Sequence, residues 1–318
     1  MITPVELAER CRKCPQPLDN FDRSRKLTAP ASRELVIPAV ELGRVQDTAR
    51  WAAASRAVES ARTDALFHDR FARDFVGDDM AAMLELCRRI GGTWPVVART
   101  VLIDRLLVEA TADGADAVLN LAAGFDTRPY RLMFPRSLVW LDVDHADVIA
   151  ARSRVLGREN ASCVVEQRSV DLSDAPARRA LFAEVSARFR RVIVLTEGLL
   201  YYLEEDSALG LARELRELRP LRWIFDLHNR AVREMIDKRS GGALRGTAKM
   251  RFAPEQGALI FEPLGWNIIS VGSSAKAAGG LGRLPFFMSL LMRLPAPTYG
   301  KAGWPWAGVC AAEVVDSG

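Results

Sequence analysis

No stretch of this sequence is long and apolar enough to cross a bilayer. The longest candidate, Leu281 to Leu294, is broken by Arg283, Pro285 and Arg293. Met1 to Asn20 carries charges throughout and lacks the continuous apolar core of a secretory leader. Both absences predict a cytoplasmic protein with no membrane partner. Charge of one sign is scarce too. The 44 Lys and Arg face 40 Asp and Glu, a net of +4 with no dense basic block, so no nucleic-acid partner is expected. Five cysteines, an odd number, predict reduced thiols. Cys11 and Cys14 form a lone CxxC, followed by no second pair and no paired histidines, so no metal site is predicted. Only His68, His145 and His228 offer imidazole chemistry.

What is present is ordinary globular material. With 318 residues, 49% hydrophobic and 26% charged, the chain can build one large α/β domain and an appendage. Residues 1–43 read as an N-terminal extension punctuated by Pro15, Pro17, Pro30 and Pro38. Residues 44–114 read as a helical cap. Val45, Ala49, Ala52, Ala53 and Arg56 recur at helical spacing; Phe67, Phe71, Phe75 and Val76 do so again; Val97, Val101, Ile103 and Leu107 form a third stripe after Pro95. From residue 115 the pattern changes. Short apolar runs at 117–122, 138–143, 162–165, 191–195 and 221–227 are interleaved with helical patterns, including 146–156 and 204–218, and runs at 268–271 and 309–314 are candidate closing strands. This alternation predicts βαβ units and a doubly wound, mostly parallel α/β sheet over 115–318.

In such a sheet the ligand lies at the carboxyl ends of the strands. Here those ends carry Asn120 to Arg128, then Asp142 and Asp144, then Asp171-Leu172, then Thr196-Glu197-Gly198, and finally Asp226 and His228. Gly124 lets a ligand approach the backbone closely. Asp142 and Asp144 both have the offset of about 20 residues at which a carboxylate meets two ribose hydroxyls. Asp171 is placed to read an adenine edge. A dinucleotide would call for GxGxxG around its pyrophosphate. The turn from Ala122 to Thr127 has one glycine, and Asp126 repels an anion. A nucleoside with a cationic centre and no phosphate suits this acidic rim.

At these residues a family resemblance emerges. Asn-Leu-Ala-Ala-Gly-Phe-Asp-Thr-Arg-Pro-Tyr-Arg-Leu, residues 120–132, resembles the first cofactor motif of the leucine carboxyl methyltransferase group, which includes polyketide O-methyltransferases of the tetracenomycin type. Leu141-Asp-Val-Asp144 resembles the second motif, and Thr196 to Leu203 the segment after strand four. Ala54 to Ser60 with Leu66 to Asp69 is similar to the helical signature; Leu264-Gly-Trp266 and Arg283 to Phe286 are similar as well. The resemblance spans about residues 44–295. It implies a seven-stranded, Rossmann-like class I methyltransferase with an N-terminal helical cap and acceptor-site insertions near 229–300. The implied cofactor is S-adenosyl-L-methionine, released as S-adenosyl-L-homocysteine. Arg99 would then hold the cofactor carboxylate, Gly124 line its methionine portion, Asp144 (or alternatively Asp142) bind the ribose, Asp171 and Leu172 flank the adenine, and Glu197 face the amino group. Arg56 matches a cap-helix cation near the reaction centre. Ala122 departs from the pattern by replacing the motif's first glycine.

The same resemblance implies O-methylation of a carboxylate or hydroxyl on a small-molecule, natural-product or peptide acceptor. Transfer from a sulfonium is an in-line displacement, so orientation is the main demand. A carboxylate, with a pKa of about 4, needs no base, whereas a phenol near ~10 does. Tyr202 matches a family tyrosine near the reactive end, and His228 is the histidine best placed to serve an acceptor. Two alternatives stay open: transfer to carbon or nitrogen on the same fold, and a non-catalytic binding or regulatory protein, which Ala122 keeps in view.

Overall fold

A computed structural model describes residues 42–315. The Cys11/Cys14 pair, and all of the 1–43 extension but its last two residues, lie outside the described residues.

Seven strands form one sheet in the order β3-β2-β1-β4-β5-β7-β6. They are β1 (Ala117–Leu121), β2 (Val139–Asp144), β3 (Val164–Ser169), β4 (Val192–Thr196), β5 (Arg222–His228), β6 (Trp266–Ser273) and β7 (Ala307–Val314). The first five are parallel, and β7 runs antiparallel between β5 and β6. β1 (Ala-Val-Leu-Asn-Leu) and β4 (Val-Ile-Val-Leu-Thr) are buried along their whole length, as expected of central strands covered on both faces. β3, at the edge, is largely half-exposed and bears Glu166 and Arg168 in ion pairs, which discourages further strand pairing.

Eleven helices among the described residues flank the sheet: α1 (Val45–Ser60), α2 (Ala72–Val76), α3 (Met80–Ile90), α4 (Trp94–Ala112), α5 (Arg128–Arg131), α6 (Ala146–Leu156), α7 (Ala175–Arg188), α8 (Glu205–Glu217), α9 (Arg230–Ser240), α10 (Ser274–Gly280) and α11 (Phe286–Leu291). Alternating strand residues face opposite layers. Trp223 and Phe225 of β5 pack with Leu211 and Leu215 of α8, while Ile224 of the same strand meets Ile103, Leu107 and Ala110 of α4. The first three helices share a separate apolar cluster with Phe125 from the loop after β1; Phe75 stacks on Phe125 with centroids 4.4 Å apart. α4 thus covers the sheet, whereas α1 to α3 sit over the strand tips.

The stripe Phe67, Phe71, Phe75 predicts a longer helix than is found, since α2 begins only at Ala72. The preceding loop is pinned instead. Glu59 accepts from the Leu66 N–H at 2.8 Å, Ser60 Oγ from the Asp69 N–H at 2.8 Å, and Asp69 Oδ1 from the Phe71 N–H at 3.2 Å. Side-chain acceptors compete with helix carbonyls for those donors.

Candidate active site

The strand order reverses between β1 and β4, and the loops beyond their carboxyl ends open onto one large cavity of about 1210 Å³. The loop after β1 forms its floor. Gly124 there has φ +50°, a left-handed backbone that favours glycine, and a Cβ on it would already be in contact with Ala49 Cβ of α1 at 3.4 Å. Ala122 is also left-handed, with φ 54°. The motif's backbone path is thus kept without its glycine, at a strain of roughly 1–2 kcal/mol.

Arg152 of α6 fastens this loop from below. Its Nη1 donates to the carbonyls of Gly124 (2.9 Å) and Asp126 (2.8 Å), and its Nη2 to Asp142. Asp142 also accepts from Asn120 Nδ2 at 2.9 Å and Trp140 Nε1 at 2.8 Å. It is completely buried and does not line the cavity. This corrects its candidacy as a cofactor ligand: its carboxylate is consumed by three donors one residue pair inside the sheet. Asp144, at the tip of β2, does line the cavity. Its Oδ2 accepts from the Gly124 N–H and its Oδ1 from the His145 N–H, each at 2.7 Å. Burial pushes its carboxyl above the usual range, and those two N–H groups partly restore it. Both oxygens are held in place and each keeps a further lone pair.

Asp171 and Leu172 border the cavity beyond β3. Asp171 Oδ1 accepts from Ser173 Oγ at 2.7 Å and the Ser173 N–H at 2.9 Å, which keeps its carboxyl below the usual range. After β4, Glu197 lies between two guanidiniums, 2.9 Å from Arg99 Nε and 2.7 Å from Arg128 Nη1. Burial opposes its charge, but Arg128 and Arg99 outweigh that and hold the carboxyl well below its ordinary pKa. Arg99 Nη1 donates to Asp226 Oδ2 at 2.9 Å, and Asp226 Oδ1 accepts from the Gly198 N–H at 2.8 Å. The Tyr201 hydroxyl donates to Asp226 as well. Arg128 further bridges Asp126 (2.6 Å) and Asp104 (2.7 Å). Arg56 ties the cap to the floor through Asp69 (2.8 Å) and the Phe125 carbonyl (2.6 Å).

Two further predicted residues stand beside this network. The Tyr202 hydroxyl is bonded to Thr48. His228 ends β5, its ring edge-on to Tyr201 at 4.5 Å, with Nε2 3.3 Å from Met250 Sδ and Nδ1 without a hydrogen-bond partner. Burial, reinforced by Arg233, pulls its pKa down to about 3, so the imidazole is neutral at physiological pH. The structure therefore brings Arg56, Arg99, Gly124, Asp144, Asp171, Leu172, Glu197, Tyr202 and His228 to one cavity and leaves Asp142 outside. Sequence reasoning assigned no role to Arg128, Tyr201 or Asp226. The available signals were the strand-end positions of Arg128 and Asp226 and the place of Tyr201 in the segment after strand four.

Beyond the strand tips the lining turns apolar, with Trp94, Met235, Ile236, Met250, Met292 and Trp304. The strand-tip half fits S-adenosylmethionine: an oriented, partly unsatisfied carboxylate at Asp144 for a diol, bare backbone at Gly124, and a carboxylate and guanidinium side by side at Glu197 and Arg99 for the two charges of an amino-acid zwitterion.

Fold and site together define an S-adenosylmethionine-dependent methyltransferase. The leucine carboxyl methyltransferase model matches residues 49–215, and the chain belongs to that family. A Streptomyces coelicolor protein, provisionally named an S-adenosyl-L-methionine-dependent methyltransferase, is 31% identical over 244 residues, covering 70% of this chain and 82% of the relative. A Mycolicibacterium smegmatis protein with the same provisional name is 33% identical over 189 residues, 51% of this chain and 59% of its own. Among solved structures, a DUF574 family protein from Streptomyces avermitilis overlays with a TM-score of 0.49 at 14% identity, covering 84% of this chain and 99% of that one.

Proposed function

We propose that the protein methylates a hydroxyl oxygen on an apolar small molecule of natural-product type. The observation that carries this reading is the hydrogen-bonding state of His228. A thioether sulfur only accepts, so the Nε2 that faces Met250 Sδ is the protonated nitrogen, and Nδ1 keeps a free lone pair. Nδ1 is shielded by protein, so an acceptor group would reach it only with a turn of the ring, and such a group must donate a hydrogen bond, as a hydroxyl or an amine does and an ionised carboxylate does not.

Bound at the strand tips, S-adenosylmethionine supplies an electrophilic methyl on a sulfonium. Asp144, Glu197 and Arg99 would hold its ribose, amino and carboxylate groups, with Asp171 and Leu172 against the base. His228 would orient the acceptor oxygen by accepting a hydrogen bond from its O–H, with Tyr201 and Tyr202 packed alongside. Because the imidazole resists full protonation, it serves as a positioning acceptor more than as a terminal proton store, and the proton passes on to water. The apolar surface of Met235, Met250 and Met292 supports an apolar acceptor body, since flexible thioethers adapt to irregular shapes. Most of that half lies after residue 215, beyond the family match. The free thiols of Cys87, Cys163 and Cys310 suit a reducing compartment such as the cytoplasm.

The test is incubation with methyl-labelled S-adenosylmethionine and apolar compounds bearing a hydroxyl, a carboxylate or an amine. The expected product is a base-stable ether carrying label in the organic phase. Label confined to a base-labile ester, to nitrogen or to carbon overturns the hydroxyl reading.

A further inference from the structure

Between Glu262 and Glu313 the chain has no acidic residue, while Lys276, Arg283, Arg293 and Lys301 supply cations. The same stretch holds a concentration of exposed apolar side chains: Phe286 is 86% exposed, Phe287 64%, Leu290 54%, Leu291 52%, Leu294 59% and Trp304 52%. The first five fall at i, i+1, i+4, i+5 and i+8, one face of α11 and of the turn that prolongs it. The other face is occupied, since Met288 and Met292 pack with Leu284 against Ala98 and Ala278. A helix apolar on two sides with a partner on one presents the second as an interaction surface.

This surface adjoins the active-site cavity. Leu291, Leu294 and Trp304 belong both to the exposed set and to the cavity lining, so the apolar interior continues onto the outside. Arg283 is committed to Glu59 and Asp64. Lys276, Arg293 and Lys301 are exposed, with no acidic neighbour in that part of the sequence to neutralise them.

We propose that this rim docks on an anionic lipid bilayer, from which an apolar acceptor enters the cavity. Protruding Phe and Leu side chains suit the boundary between headgroups and acyl chains, Trp304 suits the headgroup level, and the three cations face anionic headgroups. Peripheral attachment of this kind needs no spanning helix, and none among the described residues is long and apolar enough to be one. The proposal concerns a surface and stands independently of which atom is methylated.

Sedimentation of the full-length protein with phosphatidylcholine vesicles, with and without phosphatidylglycerol, tests it. The wild type is expected to bind the anionic vesicles about 100-fold better than the neutral ones, at about fivefold for each of the three cations, and less so as salt rises. Combined Phe286→Ser, Phe287→Ser and Leu290→Ser should reduce that binding about tenfold or more. Arg293→Ala with Lys301→Ala should reduce it about fivefold per cation. Both variants should keep the rise in melting temperature that S-adenosylhomocysteine gives, which shows the fold and the cofactor site intact. If the serine variant does not fold, the Arg293/Lys301 variant decides. Equal binding to neutral and anionic vesicles, or cation-removed protein that binds like wild type, overturns the proposal. So does a wild-type dimer that ignores vesicles and becomes a monomer in the serine variant, since the surface is then a contact between copies.

Discussion

Asp142 and Asp144 lie two residues apart on β2, and the structure predicts opposite consequences for losing them. Asp142→Ala removes the buried partner of Arg152, which is itself completely buried. Breaking a buried ion pair from one side costs about 3–5 kcal/mol, because the remaining charge is left uncompensated. Arg152 also holds the carbonyls of Gly124 and Asp126, so a relaxation that lets its guanidinium escape would release the cavity floor. Against a total stability of about 5–15 kcal/mol this is a large loss. Asp144→Ala removes acceptors for the N–H groups of Gly124 and His145, a loss of about 1–3 kcal/mol. It also removes the carboxylate that faces the cavity. Hydrogen bonds to a charged group contribute about 1.5–3 kcal/mol each, so losing even one should lower cofactor affinity about 10- to 150-fold. Denaturant melts with and without S-adenosylhomocysteine measure both effects. At about 100 times its Kd the ligand adds about 2.7 kcal/mol to a competent protein. The expected pattern is that Asp142→Ala is the less stable variant without ligand, while Asp144→Ala shows the smaller gain on adding it. The reasoning fails if Asp142→Ala stays within about 1 kcal/mol of wild type, or if Asp144→Ala gains as much from ligand as wild type does.

Three other outcomes follow from the same geometry. Ala122→Gly relieves a left-handed alanine, a gain of roughly 1–2 kcal/mol, against about 0.4–1 kcal/mol of added unfolded-state entropy, so a small rise in melting temperature is expected and a fall would contradict the strain assigned to φ 54°. His228 refuses a proton until about pH 3, whereas the unfolded chain accepts one near 6.5. Stability should therefore fall as pH drops through that window, by up to about 1.4 kcal/mol per pH unit, and His228→Gln should flatten the slope. The wild-type kcat/KM profile should also lack an inflection near ~6.5, and finding one there that vanishes in His228→Gln would show an imidazole that titrates normally. Glu197→Gln leaves Arg99 and Arg128 with one carboxylate fewer, and calorimetry should show cofactor affinity reduced about 10- to 100-fold.

What could be read from the sequence tracks how locally each feature is encoded. β1 and β4 announce themselves as unbroken apolar runs because both their faces are covered. β3 extends to Ser169, beyond the apolar residues that mark it, because an edge strand tolerates Glu166, Gln167 and Arg168 and leaves no hydrophobic signature there. Phe67 and Phe71 have helical spacing, yet a loop pinned by Glu59, Ser60 and Asp69 gives the same spacing, and those partners become visible only in three dimensions.

The two halves of the cavity differ for the same reason. The cofactor half is built from strand tips, where a residue's place just after an apolar run already fixes its direction, so Gly124, Asp144, Asp171 and Glu197 could be gathered from spacing. Even there spacing has a limit: an offset of about 20 residues admits Asp142 and Asp144 equally, and only Arg152, arriving from α6, separates them. The acceptor half is assembled from α9, the segment around Met250, α11 and the loop at Trp304, none of which follows a parallel strand directly except α9. No periodicity links Met235, Met250, Met292 and Trp304. Their convergence arises because β7 lies between β5 and β6, so that the segments joining β5 to β6 and β6 to β7 both meet at the cavity. Acceptor choice is thus set by the part of the chain whose side chains meet only after folding. Substitutions at Met235 or Met250 should accordingly change which acceptor is used while leaving cofactor affinity as it is, and paired measurements of the two would show whether the halves are as separable as their construction implies.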